Sequence, residues 1–312
     1  MTKILIIGLG KIGFYHFDSL FKSKNYFQID CVEISENRIN QINNYIKKSK
    51  GNEKVRIYKS LNMIDKYYDF LIHATNSDVR LITLQKILSI SKIKYCILEK
   101  NLSGSLIELK KFKHIQKRFK KCWVNTFRHE STLWQKFKKK VSVKNIFLIE
   151  FRGIEGLACN AIHNIDLIAS WKKKLPLSVE ITNLQKWYKS KKRKGFVDFC
   201  GEIEVIFPDN LRLLIRGYEG HQNLKCNIFE KKQKWTLLES AGMFFSKNEK
   251  ITGTFEYQSV MTNKLINKII KTGKCDLPEL NWSIDCYTIL LEALLKNWNQ
   301  CFETSVKKIS IT

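Results

Sequence analysis

The 312-residue sequence has no uninterrupted apolar run of about 18 residues, the length a membrane-crossing helix requires. Its apolar opening, ILIIG at 4–8, is too short for a span or for the core of a secretory signal, so a soluble, unexported, cytoplasmic protein is expected. There is no C-x-x-C pair. The nine cysteines, at 31, 96, 122, 159, 200, 226, 275, 286 and 301, are scattered and odd in number. That argues against a disulfide framework and a structural zinc site, and for buried free thiols in a reducing compartment; no metal site is expected. Internal repeats and low-complexity linkers are also missing, so two domains of ordinary size, packed together with a cleft between them, are expected.

Acidic residues are few: 29 Asp and Glu stand against 55 Lys and Arg, a net charge of +26. Residues 1–150 hold 30 basic and 12 acidic residues, a net of +18, and residues 151–312 hold 25 and 17, a net of +8. The excess is therefore spread along the chain. Its densest runs, KKK at 172–174 and KSKKRK at 189–194, are short and fall where loops or hairpin tips are expected. A nucleic-acid binder concentrates charge on one element with aromatic residues between. The charge thus reads first as solvated faces, with an anionic substrate and, last, nucleic acid as alternatives. No membrane partner is expected.

What the sequence does contain is a change of pattern. Over the first 125 residues, short buried strands alternate with amphipathic helices. The strands are KILIIGLG (3–10), FQIDCVEIS (27–35), VRIY (55–58), DFLIHAT (69–75), KYCILEK (94–100) and WVNTF (123–127). Helical periodicity covers 12–23, 36–48, 78–90 and 105–120. Such alternation predicts a doubly wound parallel sheet, a Rossmann dinucleotide-binding domain over 1–125. From 126 to 312 the pattern predicts an α+β domain for substrate binding and oligomerisation. It has helices at 131–140, 156–171, 259–272 and 282–298, and an open, largely antiparallel sheet from NIFLIEFRG (145–153) and the alternating segments between 178 and 257.

GLGKIG at 8–13 matches G-x-G-x-x-G where a strand meets a helix. Gly8 permits the tight turn, Gly10 lets the backbone approach a pyrophosphate, and Gly13 lets helix and strand pack closely. Lys11, Ile12 and Gly13 open the helix whose free N–H groups would face the phosphates. Glu33, 20 residues after Gly13 at the end of the second strand, suits a free ribose and repels a 2′-phosphate, so NAD is expected over NADP; Arg38 could weaken that preference but reads first as a surface helix residue. Thr75, Asn76, Glu99 and Lys100, at the ends of later strands, are expected to line the nicotinamide crevice.

The segment GLACNAIHNIDLIASW (156–171) places Cys159, His163, Asp166 and Ser170 at steps of four, three and four, on one helical face. Ile162, Ile165, Ile168 and Ala169 lie on another. His163 is the acid/base candidate, because imidazole titrates near neutral pH. Arg128 and His129, after the sixth strand, are candidate substrate contacts, while Trp123, Trp171 and His73 read as core and Tyr218 and His221 as loop residues.

GLGKIG, HATNSD, LEKN, NTFR, IHNID and, late in the chain, CDLPELNWSIDCYTILLEAL occur in an order that resembles the glucose-fructose oxidoreductase, inositol dehydrogenase and MocA family (Gfo/Idh/MocA) over nearly the whole length. The resemblance implies a Rossmann domain with an open-sheet domain, and an NAD(P)-dependent oxidoreductase of a sugar, cyclitol, or nucleotide- or phospho-sugar, in carbohydrate or surface-polysaccharide biosynthesis. It also implies homodimers or homotetramers. Lys100 falls on the lysine of the family's E-K-P motif, with Asn101 in place of the proline. His163 and Asp166 fall on the last two members of an Asp–His–Asp signature, with Cys159, followed by Asn160, where the first Asp belongs. Lys100 and His163 are then the catalytic candidates, and Arg128, Asn160 and Asp166 the substrate-side residues, Asp166 in an orienting role. Cys159 and Asn101 favour the alternative, a non-catalytic NAD(P)-binding sensor or scaffold.

Overall fold

The computed structural model describes residues 1–25, 27–49, 54–220, 222–255 and 258–312; His221 lies outside them. The chain divides into two compact units. One comprises Met1–Leu102, Lys111–Asn125 and Glu256–Leu280, the other Ser103–Lys110, Thr126–Phe255 and Asn281–Thr312.

The first unit is built on six parallel strands: β1 (Thr2–Ile7), β2 (Phe27–Val32), β3 (Val55–Tyr58), β4 (Tyr67–His73), β5 (Lys92–Glu99) and β6 (Lys121–Asn125). Their order is 3-2-1-4-5-6, that of the dinucleotide-binding Rossmann sheet. Between them run α1 (Lys11–Phe21), α2 (Glu36–Lys48) and α3 (Ser77–Ile90); α4 (Leu106–Ile115) precedes β6. Ile4, Ile6, Ile29, Cys31, Phe70, Ile72 and Ile97 make one core with Phe17 and Leu20 of α1. Each large apolar side chain removed from water contributes about 1.5–3 kcal/mol, which is why the strands read as nearly continuous hydrophobic runs.

A contiguous boundary at residue 125 needs correction, because 256–280 belong to the first unit. The reason is α7 (Gln258–Thr272). Its Leu265, Ile266 and Ile269 enter the core around Phe17 and Leu20, and polar contacts flank them: Ser23 Oγ donates to Asn263 Oδ1 at 2.8 Å, and the Asn263 amide donates to Ser19 Oγ at 2.9 Å. A helix so far away in sequence leaves no local sign of this docking.

The second unit carries eight strands: β7 (Ile146–Glu155), β8 (Ser178–Lys189), β9 (Val197–Ile206), β10 (Arg212–Tyr218), β11 (Lys225–Glu230), β12 (Lys234–Leu238), β13 (Met243–Phe245) and β14 (Lys250–Thr252). Their order is 14-13-12-11-7-10-9-8. All neighbours are antiparallel except β7 and β10, so the sheet is mixed. Period-two alternation puts Phe151, Trp235, Leu237 and Phe244 on the inner face. There they pack with Trp134 and Phe137 of α5 (Thr132–Lys140), the Phe137 and Phe244 rings stacking at 3.9 Å. The helix α6 (Leu157–Lys172) lies on β9 and β10, and α8 (Leu280–Phe302) follows α7 in the chain. KSKKRK spans the turn between β8 and β9, while Lys172 closes α6 and pairs with Asp209 at 3.1 Å.

Candidate cofactor and catalytic residues

The turn from β1 to α1 meets the steric demands of a phosphate-binding loop. Gly8 has φ +82°, open to glycine at no cost, and its carbonyl lies so near Gly13 that a Cβ there would sit 1.8 Å from the oxygen. Gly10 differs. A Cβ on it would meet nothing within 4 Å, so its missing side chain leaves a clear approach to the backbone. Gly10 is also the N-cap of α1, and no side chain caps this helix. Its first N–H groups, from Lys11, Ile12 and Gly13, are thus available to an anion, in the helix-dipole field that favours one.

Glu33 is tied into this turn more firmly than a ribose ligand alone would be. Its Oε2 accepts from the Leu9 amide at 2.7 Å, and its Oε1 from the amides of Ile34 and Ser35, each at 2.9 Å. Arg38 braces the same turn: Nε donates to the Leu9 carbonyl at 2.6 Å, and the guanidinium lies 4.9 Å from the Phe14 ring. Arg38 is therefore part of the loop rather than a bystander on α2.

At the ends of β4 and β5, Thr75 is half-buried, Asn76 is exposed as the N-cap of α3, and Lys100 is half-buried. Glu99 is buried and accepts hydrogen bonds from Asn125 Nδ2 and from His16 Nε2, the latter at 2.8 Å. Burial pushes its carboxyl upward, but the hydrogen bond and charge of His16, the Asn125 amide and the Arg80 charge together hold it below the usual carboxylate range. His16 Nδ1 faces Thr262 Oγ1 at 2.8 Å. Glu99, His16 and Thr262 line up as carboxylate, imidazole and hydroxyl; His16 and Thr262 are both 0% exposed, so the three tie α1, β5 and α7 together in the interior. His73 is core; burial, then the Arg80 charge, hold its imidazole well below the ordinary value and hence neutral. The Lys100–Asn101 peptide is cis, with asparagine at the place where the resemblance has proline.

In the second unit, α6 is buried on almost every side, including the stripe of Cys159, His163 and Asp166. Asp198 on β9 takes the role of its cap, accepting from the Ala158 amide at 2.8 Å. Asp166 is 0% exposed and accepts from Thr126 Oγ1 at 2.6 Å, with His129 Nε2 at 3.3 Å. Its Oδ2 thus orients neighbours within the protein, while its Oδ1 is buried and makes no hydrogen bond to the chain among the described residues. Arg128, also assigned to substrate, is buried and forms a two-bond pair with Glu239, at 2.9 and 3.1 Å. His129 is likewise buried at Asp166, and Asn160 Nδ2 donates to the Glu155 carbonyl at 2.6 Å. His163 is 6% exposed, its ring edge-on to Phe127 at 5.1 Å. Cys159 Sγ donates to the Thr312 carbonyl at 2.7 Å and lies 3.3 Å from Arg193 Nη1, which bonds the same carbonyl.

Sequence reasoning missed His16, Arg80, Asp198 and Arg193. His16 alone carried a local sign, an imidazole three residues after Gly13 on a helix otherwise set to pack on the sheet. Among the described residues no cluster of three or more His, Cys, Asp or Glu could hold a metal ion, and no helix is long and apolar enough to cross a membrane.

The sequence matches no protein-family profile and no curated protein. Its structure does have close likenesses. UDP-N-acetylglucosamine 3-dehydrogenase from Acidithiobacillus ferrooxidans superimposes with a TM-score of 0.72 at 10% identity, covering 93% of this chain and 96% of that one. Scyllo-inositol dehydrogenase from Lactobacillus casei, solved with bound NAD(H) and scyllo-inositol, gives 0.69 at 15% identity over 95% and 98%. A super-repressor mutant of Gal80p from Saccharomyces cerevisiae gives 0.71 at 15% identity over 95% of each chain. The class these likenesses define is a Rossmann unit joined to an open-sheet α+β unit. More particularly, it is the two-domain fold of Gfo/Idh/MocA-type oxidoreductases, the fold implied by the sequence resemblance.

Proposed function

We propose that this protein is an NAD(P)-dependent oxidoreductase acting at a hydroxyl-bearing carbon of a sugar, cyclitol, or nucleotide- or phospho-sugar. The observation that carries the reading is the β1–α1 turn, with Gly8 and Gly13 packed tightly, Gly10 open and α1 without a side-chain cap. Those residues fit a dinucleotide pyrophosphate. A bound nicotinamide supplies the two-electron hydride donor or acceptor. In the oxidising direction the imidazole of His163 takes the hydroxyl proton and the Lys100 ammonium stabilises the negative charge growing on that oxygen. The likenesses to a nucleotide-sugar dehydrogenase and an inositol dehydrogenase support this substrate class. So does the net charge of +26, which suits an anionic sugar derivative in carbohydrate or surface-polysaccharide biosynthesis. Glu33 favours NAD over NADP by its charge, and the nine free cysteines support a cytoplasmic setting.

We further propose a homodimer or homotetramer through the outer sheet face. Glu180, Glu204, Leu214, Glu150, Asn227, Thr236, Phe245 and Lys250 form one row in register across its eight strands. The row's three carboxylates stand on β7, β8 and β9 and its one lysine, Lys250, on β14, an asymmetry that a two-fold pairing would complement. Sedimentation showing only monomer at micromolar concentration refutes this.

A second reading, a non-catalytic NAD(P)-binding sensor or scaffold, is favoured by Cys159, whose thiol is engaged with Thr312 and Arg193, and by the likeness to Gal80p. Lys100→Ala and His163→Ala separate the two. On a substrate found by screening sugars and nucleotide sugars with NAD, each substitution lowers turnover by about 10²–10⁴ and leaves cofactor affinity nearly unchanged. Turnover at the wild-type rate in His163→Ala removes that residue from the mechanism.

A further inference from the structure

Lys100 stands between two residues that are each gripped by buried side chains of the first unit. Before it, Glu99 is held by His16 and Asn125. After it, the carbonyl of Asn101 accepts a hydrogen bond from Arg80 Nη1. The other arm of Arg80, Nη2, donates to the carbonyl of Thr75. A single guanidinium thus joins the turn after β4 to the turn after β5.

Burial and the helix dipole both oppose a cation at this position, and the Glu99 carboxylate offsets them only in part. Arg80 is 2% exposed, and taking a charge out of water costs several kcal/mol unless its donors are met. It also lies near the N-terminus of α3, where the helix dipole disfavours positive charge. What the placement gains is the bridge between two strand-end turns, a task suited to a planar group with donors pointing two ways. Carboxyl ends of strands are where ligands of open parallel sheets bind.

We propose that Arg80 is a positioning residue that shapes the nicotinamide half of the cofactor site by fixing the Thr75 and Asn101 carbonyls, and with them the approach to Lys100. This rests on the reading that the chain binds a nicotinamide dinucleotide. The adenosine end is held by Glu33, which Arg80 does not touch in the contacts described above, whereas Thr75, held by Arg80, packs beside Gly8 of the pyrophosphate turn. Loss of Arg80 should therefore fall more heavily on the nicotinamide end than on the adenosine end.

The test is calorimetric titration of the full chain and its Arg80→Gln and Arg80→Lys variants with NADH and with ADP-ribose, which lacks the nicotinamide. Thermal melting reports whether each variant folds. Arg80→Gln should weaken NADH by about tenfold or more, as losing hydrogen bonds to a charged group implies. ADP-ribose should lose clearly less than NADH, because it lacks the nicotinamide and reaches this turn only through the contact of Thr75 with Gly8. Arg80→Lys keeps a buried cation but lacks the planar fork, and should show a smaller loss of the same kind. If Arg80→Gln fails to fold, Arg80→Lys decides by the same split. Equal loss of both ligands, or undiminished NADH affinity, overturns the proposal. Wild-type protein that binds neither ligand refutes the dinucleotide reading itself, a failure that the ADP-ribose arm separates from that of Arg80.

Discussion

Adding one methyl group at Gly10 or at Gly13 should have opposite consequences. At Gly13 the new Cβ would lie 1.8 Å from the Gly8 carbonyl oxygen and 2.9 Å from its carbon. Both are backbone atoms of a turn closed by the bond from the Gly8 amide to the Val32 carbonyl at 2.9 Å, so relief requires the turn to open by more than an ångström. Overpacking of this kind costs about 1–3 kcal/mol, and about 2–4 °C of melting temperature for each kcal/mol in a domain of 150–250 residues. At Gly10 the methyl meets no atom, and the φ of −57° with ψ of −168° lies at the margin of the extended region, within small adjustment for alanine. Gly10→Ala should therefore melt near the wild-type temperature, the restriction of the unfolded chain by about 0.4–1 kcal/mol offsetting that adjustment. The same methyl occupies the approach to the α1 amides. Losing one hydrogen bond to a phosphate there costs about 1.5–3 kcal/mol, roughly 10- to 100-fold in Kd. Thermal melting and calorimetric titration with NADH read the two effects separately. Wild-type NADH affinity in Gly10→Ala, or wild-type stability in Gly13→Ala, refutes the assigned roles of these glycines.

Breaking the buried Arg128–Glu239 pair by Arg128→Met should cost about 3–5 kcal/mol in urea unfolding, whereas Arg128→Met with Glu239→Leu should recover most of it, because no lone charge is left. Glu99 has a folded-state pKa below its unfolded one, so it adds stability at neutral pH that disappears as pH falls through the folded value. His16→Gln removes the main cause of that depression, and its acid unfolding midpoint should lie at higher pH than that of the wild type. Seven of the nine thiols are buried, Cys275 is half-buried and Cys301 exposed, so a thiol reagent should modify one cysteine per chain rapidly, and Cys301→Ser should abolish that phase. Glu33→Ala should narrow the difference between NAD(H) and NADP(H) affinity and lower the melting temperature, since three amides lose their acceptor.

Much of the Rossmann unit was legible because its signals are local. A strand such as KILIIGLG carries its own hydrophobic run and its own glycine turn, and Glu33 follows at a fixed distance. The α6 stripe was legible as a pattern but not as an environment. Cys159, His163 and Asp166 share a face by helical spacing alone, yet the partners of Asp166 are Thr126 and His129, which no spacing rule links to it. The same holds for Arg128, whose guanidinium pairs with Glu239, 111 residues later and linked to it by no local pattern. His16 and Thr262, 246 residues apart, show why α7 could not be assigned to the first unit in advance: the packing of α7 on α1 is written in side chains that each look ordinary alone.

The central claim is hydride transfer, and transfer of the isotope tests it most directly. The protein would be incubated with 4,4-dideuterated NADH, labelled on both faces, and a panel of keto-sugars and keto-nucleotide sugars, and the products analysed by mass spectrometry. The account predicts a product one mass unit heavier than the unlabelled alcohol, formed by wild-type protein and sharply reduced in His163→Ala. Tight NADH binding with no deuterium in any product would contradict the enzymatic reading and favour the sensor or scaffold.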